Sequence, residues 1–141
     1  MIEKAREKHL DSVMAIWLNT NIAAHSFIPQ SYWQSVLEQV KEAMLASDVF
    51  VYHESDQVLG FIGITGNKYI AGLFVDGKAQ SQGVGRALLN HCKQLYPRLE
   101  LAVFTENPGA VRFYQNNGFE IASTEISPNF NREEHRMVWS A

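Results

Sequence analysis

The period of the apolar positions changes several times along this chain, and each change marks an element. Ile2 to Arg6 reads as a short edge strand. Leu10, Val13, Met14 and Trp17 then recur at i, i+3, i+4 and i+7, which predicts an amphipathic helix. Asn19 to Pro29 breaks that pattern and reads as a loop. Ser31 and Gln34 have capping-box spacing, and behind them Trp33, Val36, Leu37, Val40 and Met44 form the stripe of a second helix. Val49 to Tyr52 and Val58 to Ile64 are β-rich runs separated by Glu54-Ser55-Asp56-Gln57, the pattern of a hairpin. Gly66-Asn67 turns the chain into a third strand, Tyr69 to Val75.

Downstream the pattern becomes strand–helix alternation. Gly83 opens a helix whose inner face is Val84, Ala87, Leu88, His91 and Leu95, and Pro97 ends it. Leu99 to Phe104 is the next strand. Pro108 sits in the first turn of another helix, which stops at Asn117-Gly118. Phe119 to Ser123 and Arg136 to Trp139 are the last strands. The order β-α-α-β-β-β-α-β-α-β-β predicts a mixed α/β sheet of about seven strands, covered by about four helices.

Composition narrows the function classes. The chain has 141 residues, 46% of them apolar and 19% charged, which suits one domain. A chain of this size buries about 68–70% of its unfolded surface, so it needs no metal or disulfide to fold. Fifteen acids against twelve bases give a formal charge of −3, which argues against nucleic acid as a partner. No apolar run is long enough to span a membrane. The charged start MIEKAREKH does not resemble a signal peptide. A lone Cys92 excludes an internal disulfide and reads as a buried core residue, and the histidines at 9, 25, 53, 91 and 135 show no metal-ligand spacing. Trp17, Trp33 and Trp139 read as core. A cytoplasmic protein without metal, membrane or nucleic-acid partners is expected, as a monomer or homodimer.

The segment from Leu73 to Ala87 carries the most chemistry. A strand leads through a short loop to Gly83 and Gly85 at the mouth of a helix, where unpaired N–H groups and partial positive charge attract phosphate. Glycine there lets a pyrophosphate approach the backbone without meeting a Cβ. A Rossmann fingerprint would need a third glycine where Leu88 stands, and a P-loop would need a Gly-Lys-Ser/Thr triplet that is absent.

A second string follows the next strand: Asn107, Ala110, Phe113, Tyr114, Gly118 and Phe119, in the spacing N-x-x-A-x-x-F-Y-x-x-x-G-F. With Q-S-Q-G-V-G at Gln80–Gly85, the chain resembles the GNAT superfamily of acetyl-CoA-dependent N-acetyltransferases over its whole length. It is similar to small stand-alone bacterial members with a His-x-Phe segment after the first helix, here His25-Ser26-Phe27, some of which acetylate protein lysines. The resemblance implies one N-acetyltransferase domain over residues 1–141, with a largely antiparallel sheet whose central strands splay apart. Acetyl-CoA would be the co-substrate and a primary amine on a protein or a small molecule the acceptor. Backbone of Phe74 and Val75 would hold the pantetheine arm, and one of these amides would face the thioester oxygen. Backbone N–H groups across Gln80, Ser81, Gln82, Gly83, Val84, Gly85 and Arg86 would cradle the pyrophosphate. Asn107, Ala110, Phe113 and Tyr114 would contact the far side of the cofactor.

Tyr114 occupies the family's general-acid position, and a phenol of pKa about 10 can protonate a leaving thiolate. Several relatives carry a glutamate base five residues before the asparagine, where this chain has Ala102. Glu100, on the same strand face, and His25 are the remaining base candidates. With Ala102 in that place, no single essential base is expected, and the proton would leave through water lined by several groups. His25, Phe27 and Tyr32 are the candidate acceptor-pocket residues, and Asn19–Pro29 and Glu125–Glu134 the candidate acceptor loops. The alternative is a catalytically weak CoA-binding sensor or regulatory module.

Overall fold

The computed structural model describes residues 1–141. Its strands are β1 (Ile2–Lys4), β2 (Asp48–Glu54), β3 (Gln57–Thr65), β4 (Tyr69–Val75), β5 (Arg98–Phe104), β6 (Glu120–Ile126) and β7 (Glu133–Ser140). They form one sheet in the order β1-β2-β3-β4-β5-β7-β6. Every neighbouring pair is antiparallel except β4 with β5. The mixed α/β architecture expected from the sequence is therefore present.

The helices are α1 (Leu10–Ala24), α2 (Gln30–Ser35), α3 (Leu37–Leu45), α4 (Val84–Leu95) and α5 (Pro108–Asn116). That is five where four were expected, because the stripe from Trp33 to Met44 is divided at Val36, whose φ of −101° and ψ of 2° leave the helical region. The stripe survives the break, and its members pack against one core. Ser31 does not cap α2; Pro29 takes the N-cap position and no side chain caps it. α1 continues through the segment read as a loop, up to Ala24. Its polar residues satisfy themselves within the helix: Thr20 Oγ1 donates to the Ile16 carbonyl at 2.6 Å and Asn21 Nδ2 to that of Trp17 at 2.9 Å.

The edge strand β6 is largely exposed, while the central strands of the sheet are covered on both faces. On one lie α4 and α5, over Leu88, Leu89, Leu99, Leu101 and Met137. On the other lie α1, α2 and α3, over Val13, Trp17, Trp33, Val51 and Phe61. Cys92 is fully buried, and burial pushes its thiol up to about 12, so it packs as a small hydrophobe. Trp139, expected in the core, is only partly buried.

The feature that positions the site is the junction of β4 and β5. These parallel strands pair at one position, Tyr69 with Glu100, supported by the Glu100 N–H donating to the Lys68 carbonyl at 2.8 Å. β4 follows β3 with a bulge at Ala71, and β5 follows β7 across seven positions. A bulge bends its strand, so the two halves of the sheet diverge beyond Tyr69. Glu100 closes the base of the wedge. It is buried, and its carboxylate meets Lys68 at 3.1 Å, Arg98 at 3.5 Å and the Arg136 guanidinium.

The hydrogen bond from Lys68 holds the Glu100 carboxyl below its ordinary value, with the charges of Arg98 and Arg136 adding to this and burial opposing it. A carboxyl depressed on folding contributes stability that is present above its unfolded value and lost as pH falls through the folded one. Glu100→Gln should cost about 1 kcal/mol in urea unfolding at pH 7. The gap between parent and variant should shrink below pH ~4. A gap that stays constant from pH 7 to pH 3 would contradict this role.

Candidate active site

Two hollows of about 510 and 550 Å³ occupy the wedge between β4 and β5. They share Leu73, Val75, Gln80, Asn107, Ala110 and Tyr114, so they form one crevice. One half opens toward α1, the other toward the start of α4.

Along β4, strand alternation decides which backbone groups are free. The Asp76 N–H donates to the Leu59 carbonyl at 2.8 Å, so Asp76 and, two residues back, Phe74 turn their backbone toward β3. Leu73 and Val75 then face the wedge. The Val75 carbonyl points away from β3, where it accepts from Gln80 Nε2 at 3.2 Å. Of the two residues expected to offer backbone to the crevice, Val75 does so. Phe74 does not: its backbone pairs with Phe61 on β3, and it reaches the α1-side hollow with its side chain, whose ring packs on Phe61 at 5.3 Å. Leu73, which sequence reading missed, takes its place, and only knowledge of the bulge and register could have revealed it.

The second half of the crevice is lined by Gln80, Ser81, Gly83, Val84, Gly85, Arg86 and Phe113. Ser81 and Gly83 both adopt left-handed backbone, with φ of 66° and 85°. Such residues curl a loop so that successive N–H groups converge into an anion-binding concavity. Gly83 is also the N-cap of α4, and a Cβ there would meet nothing within 4 Å; its backbone conformation, rather than crowding, favours glycine. At Gly85 a Cβ would stand 3.3 Å from Phe113 Cζ and 3.6 Å from Val75 Cγ2, across the hollow. Gln82 lies outside the lining, its side chain donating to the Lys78 carbonyl. Asn107 caps α5 by accepting from the Ala110 N–H at 3.2 Å, which leaves its Nδ2 free.

Tyr114 stands where the two halves meet. Its ring is buried between Phe113 and Phe119, with centroids 5.2 and 5.5 Å away. Burial alone raises its pKa, so the phenol stays protonated well above neutral pH.

The α1 side of the crevice is walled by Thr20, Asn21, His25, Trp33, Phe104 and Glu134, among others. The segment expected as an acceptor loop thus contributes as a helix end. The second expected loop is shorter than read, since β6 runs to Ile126 and β7 starts at Glu133. His25 caps the end of α1 and sits among Phe27, Trp33 and Phe104, with ring centroids 5.2 to 5.7 Å away. Burial lowers its pKa, with the Asn21 backbone opposing, so the ring is neutral at pH 7. Its Nδ1 and the Trp33 Nε1 are buried without a hydrogen-bond partner in the chain.

Phe27 and Tyr32 do not line the crevice; they stand behind it, against His25 and Trp33 respectively. Glu100 is likewise absent from the lining, its carboxylate taken up by three cations at the closed end of the wedge. It is therefore no candidate base. Ala102 lines the hollow, and so does Glu134 from the adjacent strand. No group of three His, Cys, Asp or Glu side chains is placed to hold a metal ion, and no helix is long and apolar enough to cross a membrane.

Known proteins share this architecture. The family model described as "Acetyltransferase (GNAT) domain" matches residues 19–138. The peptidyl-lysine N-acetyltransferase YiaC of Escherichia coli is 35% identical over 122 residues, covering 86% of this chain and 84% of that protein. The spermine/spermidine N(1)-acetyltransferase of Bacillus subtilis is 31% identical over 100 residues, covering 60% of this chain and 66% of that protein. The solution structure of apo YjaB from Escherichia coli superposes with a TM-score of 0.84 at 26% identity, covering 99% of this chain and 96% of that one.

The geometry at Gly85 generates a binding test. Gly85→Val would push methyl groups into the space between Val75 and Phe113. It should weaken CoA binding at least tenfold, about 1.4 kcal/mol, when measured by calorimetry on folded protein. Unchanged affinity would show that the nucleotide half of the crevice lies elsewhere.

Proposed function

This chain belongs to the GNAT acetyltransferase family, and on that premise we propose that its acceptor is a lysine-type primary amine, with Tyr114 as the general acid. The protein is an acyltransferase that moves an acetyl group from acetyl-CoA to an amine. In this reading residues 1–141 form one N-acetyltransferase domain. A cytoplasmic setting follows from the need for acetyl-CoA, and a monomer or homodimer suffices because one chain supplies every wall of the crevice.

The observation that carries the residue assignment is the position of Tyr114 at the junction of the two hollows. Backbone groups of Leu73 and Val75 would extend the sheet onto the pantetheine arm, as an added strand does. The N–H groups around Ser81, Gly83 and Gly85 would receive the pyrophosphate, with Arg86 at the rim. The acyl group would then lie near Tyr114, with the α1-side hollow open to the amine. A leaving thiolate in this crevice is desolvated as the phenol is, so both are more basic than in water and the proton transfer stays matched. Tyr114→Phe should keep CoA affinity within a few-fold and lose about 10²–10⁴ in turnover. Parent-level turnover in the purified variant would remove Tyr114 from the mechanism.

The lysine reading draws on the likeness to YiaC, which covers most of both chains. A polyamine is the second reading, favoured by the Bacillus relative and by an acidic rim where Glu125 pairs with Glu134 across β6 and β7. Free-thiol release with acetyl-CoA and a panel of amines separates the two. A lysine-containing peptide should exceed spermidine in kcat/KM; the reverse order would assign the polyamine. No thiol release with any amine would leave a CoA-binding sensor.

A further inference from the structure

Amine acetylation needs a neutral nucleophile, and a lysine-like ammonium of pKa about 10.4 is almost fully protonated at pH 7. The strand position where several relatives carry a base holds Ala102, and Glu100 is bound by three cations. The α1-side hollow nevertheless contains a carboxylate. We propose that Glu134 is the proton acceptor for the incoming amine, supplied from β7 in place of the missing side chain on β5.

Three observations carry this. First, among the residues lining the α1-side hollow the ionisable ones are His25, Tyr69, Tyr114 and Glu134, so Glu134 is the only carboxylate there. Second, the register places it correctly. Glu134 pairs with Phe104 and Arg136 with Ala102 across β5 and β7. Directly opposed residues in an antiparallel pair share a face, so Ala102, Phe104 and Glu134 project to the same side. Ala102 and Glu134 are then diagonal neighbours, about 7–8 Å apart at the backbone, within the reach of a glutamate side chain. Third, Glu134 is uncommitted. None of the ion pairs of the chain includes it, whereas Glu100 takes part in three.

The surroundings suit the role. The charge acting on Glu134 is that of Glu125, its partner on β6. Glu134 in turn acts on the Tyr69 phenol of β4, His25 faces the same hollow from α1, and Arg136 shares the face of β7 with its guanidinium held on Glu100. Burial first, then the charge of Glu125, raises the Glu134 pKa above the ordinary glutamate value. A more basic carboxylate is a better proton acceptor. The pair Glu125 and Glu134 also favours a cationic acceptor at the mouth, which then becomes neutral as it enters.

The ammonium gives one proton to Glu134, and the freed lone pair forms the C–N bond at the thioester carbon. The C–S bond breaks with its electron pair on sulfur, and the thiolate takes a proton from Tyr114. The nitrogen loses its second proton as the amide forms, which restores Tyr114 through water, and Glu134 passes its own to solvent.

This inference rests on the amine-acetylation reading, and the test keeps the two apart. Parent protein that releases no thiol with any amine would defeat that reading itself. With an active parent, kcat/KM for a lysine-containing peptide should rise with pH through a limb above the ordinary glutamate range of ~4.3, set by ionisation of Glu134. Glu134→Gln should keep CoA affinity and lose about 10²–10⁴ in kcat/KM at pH 7. The low-pH limb should vanish, and activity should recover toward the parent as pH approaches the pKa of the amine. A structural defect would depress activity equally at all pH values. Activity within threefold of the parent at pH 7, or a constant deficit across pH, overturns the proposal. Should the Gln variant fail to fold, Glu134→Asp carries the test: its limb must persist, and loss of the limb with CoA affinity retained equally overturns the role.

Discussion

Everything functional here depends on two parallel strands that refuse to pair. Backbone N–H and C=O groups inside a sheet are normally satisfied by the neighbouring strand, and leaving them open to an apolar interior is costly. β4 and β5 meet only at Tyr69 and Glu100, then separate. The open edges are tolerated because they line a crevice that admits water or a ligand. A wedge of this kind binds through the backbone, so its affinity for a linear ligand survives wide variation in side chains.

The wedge stays open because each of its sides is held elsewhere. β4 belongs to the β1–β3 half of the sheet, and its bulge at Ala71 turns it outward. β5 belongs to the β7–β6 half, paired along its whole length. At the apex, Glu100 gathers cations from the β3–β4 turn, β5 and β7. That cluster explains why the carboxylate cannot serve as a base: three cations stabilise its charged form and oppose protonation. Glu134 has the opposite environment, facing another carboxylate. Two glutamates near one site thus take opposite tasks, one structural and one, by our proposal, chemical.

The α1 side of the crevice is built differently from the nucleotide side. There the lining is side chain rather than backbone: the end of α1 delivers His25, α2 delivers Trp33, and β5 and β7 deliver Phe104 and Glu134. The aromatic rings of Phe27, Tyr32 and Phe130 pack behind them, edge to face. Such packing holds the wall in place behind the lining residues. In the proposed reading, acceptor choice would reside in a layer of rings and one acid, separate from the backbone that would receive the cofactor.

Local sequence determined the elements whose signals are local. The apolar periods marked the strands and helices. Gly83 and Gly85 marked the mouth of α4 that lines one half of the crevice, and the string from Asn107 to Phe119 marked α5 with Tyr114 on it. Where polar residues broke a period, as in Asn19 to Ala24, reading failed, because Thr20 and Asn21 satisfy their side chains on the helix's own carbonyls. Tertiary structure decided the rest. Whether Leu73 or Phe74 opens its backbone to the crevice depends on one bulged residue. Whether Glu100 or Glu134 reaches the site depends on which strands pair in which register. Partners brought together across β4, β5 and β7 lie 30 or more positions apart in the chain, beyond the reach of any local pattern. The resemblance pointed to the family and to Tyr114 as its candidate acid; only the sheet's pairing showed that Glu134 lines the crevice outside any ion pair while Glu100 is held by three cations.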